Sequence, residues 1–136
     1  MASVAGFDFG TGSAITRADP ATRAAYVESW DGELLPLRGT SGEALVAEME
    51  AAGPAWSLAR LAAPLADRPV LLVGTGRDTA APAEVHHWPL VEAYQAYPVP
   101  LLEHRLFQTD HALSDHRVAL ARTIADFLDR HLRTPA

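Results

Sequence analysis

Arg68-Pro-Val-Leu-Leu-Val-Gly74 is the stretch on which the fold turns. Val70 to Val73 are apolar in succession, with no polar residue interleaved and with Pro69 and Gly74 as bounds. Such a run suits a strand covered on both faces, as in a parallel sheet. Downstream, Pro82 opens a helix carrying Val85, Leu90, Val91 and Tyr94. Pro98 and Pro100 enclose the approach to a second strand, Leu101 to Phe107. Ser114 can cap a last helix, where Val118, Ala121, Ile124, Ala125, Phe127, Leu128 and Leu132 recur near the helical period. From residue 68 onward the order is strand, helix, strand, helix, which predicts a parallel α/β sheet with right-handed crossovers.

Upstream, Ala2 to Phe9 reads as a short strand that ends in a glycine turn at Gly10-Thr-Gly12. Asp19-Pro20 starts a helix, because Asp can cap and Pro suits the first helical position. That helix runs to about Trp30 and stops at Asp31-Gly32. Thr40 followed by Glu43 is a capping-box pattern. The helix it opens carries Leu45, Val46 and Met49 and ends at Gly53-Pro54. Residues 55–66 read as a short helix and a turn. The expectation is one α/β domain over residues 1–136, with about three parallel strands and flanking helices. Nothing precedes the first strand to cover its outer edge, so that edge is expected to pair with another copy or with a missing half of a larger protein.

Composition limits the partners. The chain has 136 residues, a net charge of -6 and no basic run, which argues against nucleic acid and anionic membranes. No apolar stretch reaches the roughly 20 residues of a membrane span. Met1 to Gly10 contains Asp8 and lacks a basic start, so it does not read as a signal peptide. With no cysteine, disulfides, thiolate catalysis and cysteine-ligated metals are excluded. A cytoplasmic home fits. His86 and His87 are adjacent on a helix and do not share a face, and no third ligand stands at a suitable spacing, so no metal is expected. Gly10-Thr-Gly12 is not a phosphate or dinucleotide loop, and no cofactor is expected.

Two residues carry chemistry. Asp78 follows the first downstream strand and His111 follows the second. An acid after one strand and a histidine after the next lets a carboxylate orient an imidazole, which is two-thirds of a nucleophilic triad. Taken singly, Asp78 is a turn aspartate and His111 a helix-approach residue; His116 is a rival base, and His104 lies in the strand as a structural residue. Trp30, Trp56 and Trp88 read as packing residues, with Trp30 or Trp56 as alternatives for lining an acyl pocket.

Residues 68–132 resemble the C-terminal part of an α/β-hydrolase, similar to its dienelactone-hydrolase and prolyl-oligopeptidase-like branches. The resemblance rests on Pro69-Val-Leu-Leu-Val-Gly-Thr-Gly-Arg-Asp78, on Leu106-Phe-Gln-Thr-Asp-His111 and on the amphipathic terminal helix. Residues 11–67 are similar to the lid-like helices that follow the nucleophile helix. The resemblance implies a partial α/β-hydrolase fold, Asp78 as triad acid, His111 as general base, and cofactor-free hydrolysis of an ester or amide. It implies a Gly-x-Ser-x-Gly nucleophile turn as well, and this sequence has none. Ser13 in Gly10-Thr-Gly-Ser13 and Ser41 in Gly39-Thr-Ser41-Gly42 lack its spacing. The oxyanion-hole loop should also lie upstream. The chain is therefore expected to be inactive alone, to be one half of a split hydrolase, or to be a non-catalytic assembly module. Fold analogy does not choose among esterase, thioesterase, lipase and peptidase.

Overall fold

Three strands, β1 (Ala2–Val4), β2 (Val70–Thr75) and β3 (Leu102–Phe107), form one parallel sheet in the order β1-β2-β3. This computed structural model describes residues 1–34, 37–97 and 101–132. Pro98 and Pro100, read above as flanking the last strand, lie outside the described residues. Among the described residues six α-helices accompany the strands: α1 (Phe9–Ala18), α2 (Pro20–Glu33), α3 (Gly42–Ala52), α4 (Ala83–His86), α5 (Trp88–Ala96) and α6 (Arg117–Leu132). The residues sort into two compact units, Asp8–Arg60 and Met1–Phe7 with Leu61–Ala136.

In the sheet unit every residue of β2 is buried, as its unbroken apolar run requires. β1 pairs with it from Ala2↔Leu71 to Val4↔Val73, and β3 from Val70↔Leu102 to Thr75↔Phe107. Alternation sends Leu71 and Val73 to one face, where they pack on Phe127 of α6 together with Val4, Phe107, Leu120 and Ile124. On the other face Gly74 leaves room for the ring of His87, which would lie 2.5 Å from an added Cβ. Burying each such Val or Leu contributes roughly 1.5–3 kcal/mol.

The helical unit is tied by polar contacts. Asp8 caps α1 by accepting from Thr11 N at 2.9 Å, and its second oxygen accepts from Leu58 N at 3.0 Å. Arg23 of α2 clamps two carboxylates of α3, Glu43 at 2.6 Å and Glu50 at 3.1 Å. Val46 and Met49 are the buried hydrophobic residues of α3.

Several elements differ from the sequence reading. β1 stops at Val4, and Gly10-Thr-Gly12 lies inside α1 rather than in a turn, because Asp8 caps a helix at that point. Ser41, not Thr40, caps α3: its Oγ accepts from Ala44 N at 3.1 Å. The helix expected from Pro82 is two helices, since Pro89 at the start of α5 cannot donate to the preceding turn. Ser114 does not cap α6, which begins at Arg117. The apolar stripe of α6 is divided: Leu120, Ile124 and Phe127 meet the sheet, while Val118, Leu128 and Leu132 are exposed. Among the described residues no helix is long and apolar enough to cross a membrane.

Candidate functional site

Beyond the ends of β2 and β3 the two following loops remain hydrogen-bonded. Gly76 N donates to Phe107 O at 2.7 Å and Arg77 N to Thr109 O at 3.0 Å. This extension of the ladder carries Asp78 and His111, 33 residues apart in sequence, to the same sheet end. His111 Nδ1 lies 2.7 Å from Asp78 Oδ2.

The Asp78 carboxylate is fully buried, whereas the His111 side chain is 53% exposed. Thr75 Oγ1 donates to Asp78 Oδ2 at 2.6 Å. The amides of Ala80 and Ala81 each donate to Oδ1 at 2.9 Å. Burial pushes the carboxyl of Asp78 up, but the bonds from Thr75, Ala81 and His111 together outweigh it and hold the group below its ordinary value. Asp78 is thus a fixed anion. It engages Nδ1 of His111 and leaves Nε2 for proton exchange on the exposed side of the ring.

The histidine loop is fixed separately. Asp115 accepts from Thr109 Oγ1, from Arg77 Nη2 at 3.0 Å, and pairs with His116 Nδ1 at 2.8 Å. The hydrogen bond from Thr109 is the largest of the influences that hold Asp115 well below the usual carboxylate range, followed by that of His116. Leu113 is buried with φ +51°, in the left-handed region that a branched side chain enters at a cost of about 1 kcal/mol or more. Its buried side chain holds that turn closed, with Leu113 N donating to Asp110 O at 3.0 Å.

The rival bases have other partners. His116 is bound to Asp115 and stacks near Phe107, with ring centroids 5.4 Å apart. His104 is exposed on β3 beside Trp88, at 5.7 Å between ring centroids. Of the candidate nucleophiles, Ser41 is occupied as the α3 cap, and Ser13 is buried within α1. Among the described residues no hydroxyl is hydrogen-bonded to His111, and no group of three His, Asp or Glu side chains is arranged to hold a metal ion. Trp30 and Trp56 both meet Phe9 edge-on, at 6.3 Å and 6.0 Å, in the helical unit. Sequence reasoning missed Thr75 and Asp115. Neither had a signal, since a threonine ending a strand and an aspartate before a helix are ordinary residues.

His87 shapes the same strand from behind. It is buried against Gly74, and its Nε2 has no hydrogen-bond partner among the described residues. Burial first, and the charge of His104 second, push its pKa below the ordinary 6.5. The folded state therefore binds fewer protons than the unfolded chain. The stabilisation is complete above about pH 6.5 and is lost as pH falls toward the lowered folded value. Urea midpoints should accordingly drop between about pH 7.5 and about pH 5. The drop should be shallower in His87→Phe; an equal slope in both proteins would exclude His87 as its source.

Comparison with protein families, with curated proteins and with solved structures returns no match for this chain.

Proposed function

We propose that this chain carries the acid and the base of a serine-hydrolase-type triad, on a partial α/β-hydrolase sheet, for hydrolysis of a small-molecule ester or amide. One observation carries the reading: a buried carboxylate, anchored by Thr75 and two backbone amides, holds Nδ1 of a half-exposed imidazole at 2.7 Å. The chain order supports it, with the acid after one parallel strand and the base after the next.

In that role His111 Nε2 takes the proton of an attacking hydroxyl as the acyl bond forms. It then returns the proton to the leaving group, and the same two transfers through water release the acid. Asp78 keeps the imidazole in the Nδ1–H tautomer and stabilises the imidazolium between the two transfers. The nucleophile comes from outside this sequence, which has no Gly-x-Ser-x-Gly. A base without nucleophile or oxyanion hole has little to activate, so the chain alone is inert or nearly so. The absence of cysteine fits a cytoplasmic setting.

The test has two arms. A fluorophosphonate probe should leave the folded chain unlabelled by mass spectrometry, and nitrogen NMR should show His111 as the Nδ1–H tautomer. In Asp78→Asn that tautomer should give way to Nε2–H. Labelling of Ser13 or Ser41 that His111→Ala abolishes would make the chain a complete hydrolase. A His111 tautomer unmoved by Asp78→Asn would remove the triad reading altogether.

A further inference from the structure

The outer edge of β3 has the sequence Leu102-Glu-His-Arg-Leu106, which reads the same in both directions by chemical type: apolar, charged, histidine, opposite charge, apolar. Among the described residues nothing pairs with that edge. An open groove of about 430 Å³ runs beside Glu103, His104, Arg105, Leu106 and Phe107.

The backbone pattern fixes which groups are available. Val70 N donates to Leu101 O at 3.0 Å and Gly76 N to Phe107 O at 2.7 Å, so the odd-numbered residues of β3 face β2. Backbone groups alternate along a strand, and the N–H and C=O of Leu102, His104 and Leu106 therefore point outward. These three positions are centred on His104.

We propose that β3 pairs antiparallel with β3 of a second copy of this chain, about a two-fold axis at His104, joining two three-stranded sheets into one. In that register His104 faces His104 of the other copy, and each Leu102 faces Leu106. All three are hydrogen-bonded positions, and every outward backbone group finds a partner. Glu103 then stands opposite Arg105 of the second copy, twice, at the non-hydrogen-bonded sites where side chains come closest. Sliding the copies by two residues either way would set Glu103 against Glu103 or Arg105 against Arg105, and like charges directly opposite are unfavourable. The charges thus select one register and one partner, itself.

The side chains are placed to accept this. Arg105 is exposed, and no ion pair engages it among the described residues. Glu103 meets Arg130 at 2.6 Å and His131 at 3.0 Å on α6, and its side chain remains 37% exposed. The contact is isologous and closes at two copies, so it gives no filament. It would form whatever chemistry the Asp78–His111 pair serves. It differs from pairing through the first strand, where β1 offers three residues.

Sedimentation velocity on the full chain tests the interface. The expected species is a dimer of twice the 14.6 kDa chain mass, dissociating on dilution. Arg105→Glu should raise the dissociation constant about ten-fold or more, and Glu103→Arg with Arg105→Glu should bring it back toward the starting value. His104→Pro removes one outward N–H and leaves the bonds to β2, so it should give a monomer with an unchanged circular dichroism spectrum. A monomer at every concentration would overturn the proposal. So would a dimer indifferent to both Arg105→Glu and His104→Pro. Arg105→Glu leaves the contacts of Glu103 with α6 untouched and remains decisive if the double variant folds poorly.

Discussion

Asp78→Ala is expected to lower the unfolding free energy by about 4 kcal/mol, a large fraction of a small domain's total. His111→Ala should change stability far less. The carboxylate accepts from Thr75 Oγ1 at 2.6 Å, from Ala80 N and Ala81 N at 2.9 Å each, and engages His111 Nδ1 at 2.7 Å. Removing it strands the buried Thr75 hydroxyl and the Ala81 amide in a site without solvent. Removing His111 takes one contact from an exposed ring and leaves the other three donors in place. Asp78→Asn should fall between, since its amide oxygen still serves Ala80 and Ala81. Chemical denaturation of the three variants checks the order. Equal losses in Asp78→Ala and His111→Ala would mean that the pair is one structural salt bridge. The pH dependence has a definite sign. The folded carboxyl lies below its ordinary 3.8, so its stabilisation is present above that value and fades as pH falls through the lower folded one. Asp78→Ala should flatten the stability curve in that range.

The asymmetry shows how the site was legible and where legibility stopped. Asp78 and His111 could be picked out because chemistry at the ends of parallel strands follows from topology, and topology was written in the unbroken run Val70 to Val73. Thr75 and Asp115 could not, because their roles depend on how each loop folds back on itself: Thr75 reaches Asp78 three residues on, and Asp115 accepts from Thr109 six residues before it. Helix ends failed by local competition. Two hydroxyls, Thr40 and Ser41, stand side by side before α3; the capping-box spacing points to the first, and the structure uses the second, whose Oγ accepts from Ala44 N. Asp8 captured Thr11 N and turned a glycine pair, which alone suggests a bend, into the first turns of α1. In α6 the period of apolar residues was right, but Val118 and Leu132 remain exposed, because an apolar stripe states that burial is possible and not what provides it.

Gly42→Ala is expected to destabilise the helical unit by about 3 kcal/mol, while Gly32→Ala, ten residues earlier in the sequence, should stabilise it by about 0.5 kcal/mol or slightly more. The two glycines are chemically alike and differ only in surroundings. A Cβ on Gly42 would lie 2.2 Å from the carbonyl oxygen of Val27 and 3.0 Å from Asp31 N, both backbone atoms of α2. Gly42 N also donates to Asp31 Oδ1 at 2.5 Å, so the first residue of α3 rests directly on the other helix. A backbone atom inside a helical ladder cannot swing aside as a side chain can, and relief requires the helices to separate. Separation would strain the Arg23 clamp on Glu43 and Glu50 and open the packing of Val46 and Met49. Gly32, near the end of α2, meets nothing within 4 Å, so an added methyl only restricts the unfolded chain and favours helix. Urea unfolding of both variants, followed by helical circular dichroism, measures the two signs. Loss of stability in Gly32→Ala, or tolerance of Gly42→Ala, would mean that α2 and α3 do not cross at this point in solution.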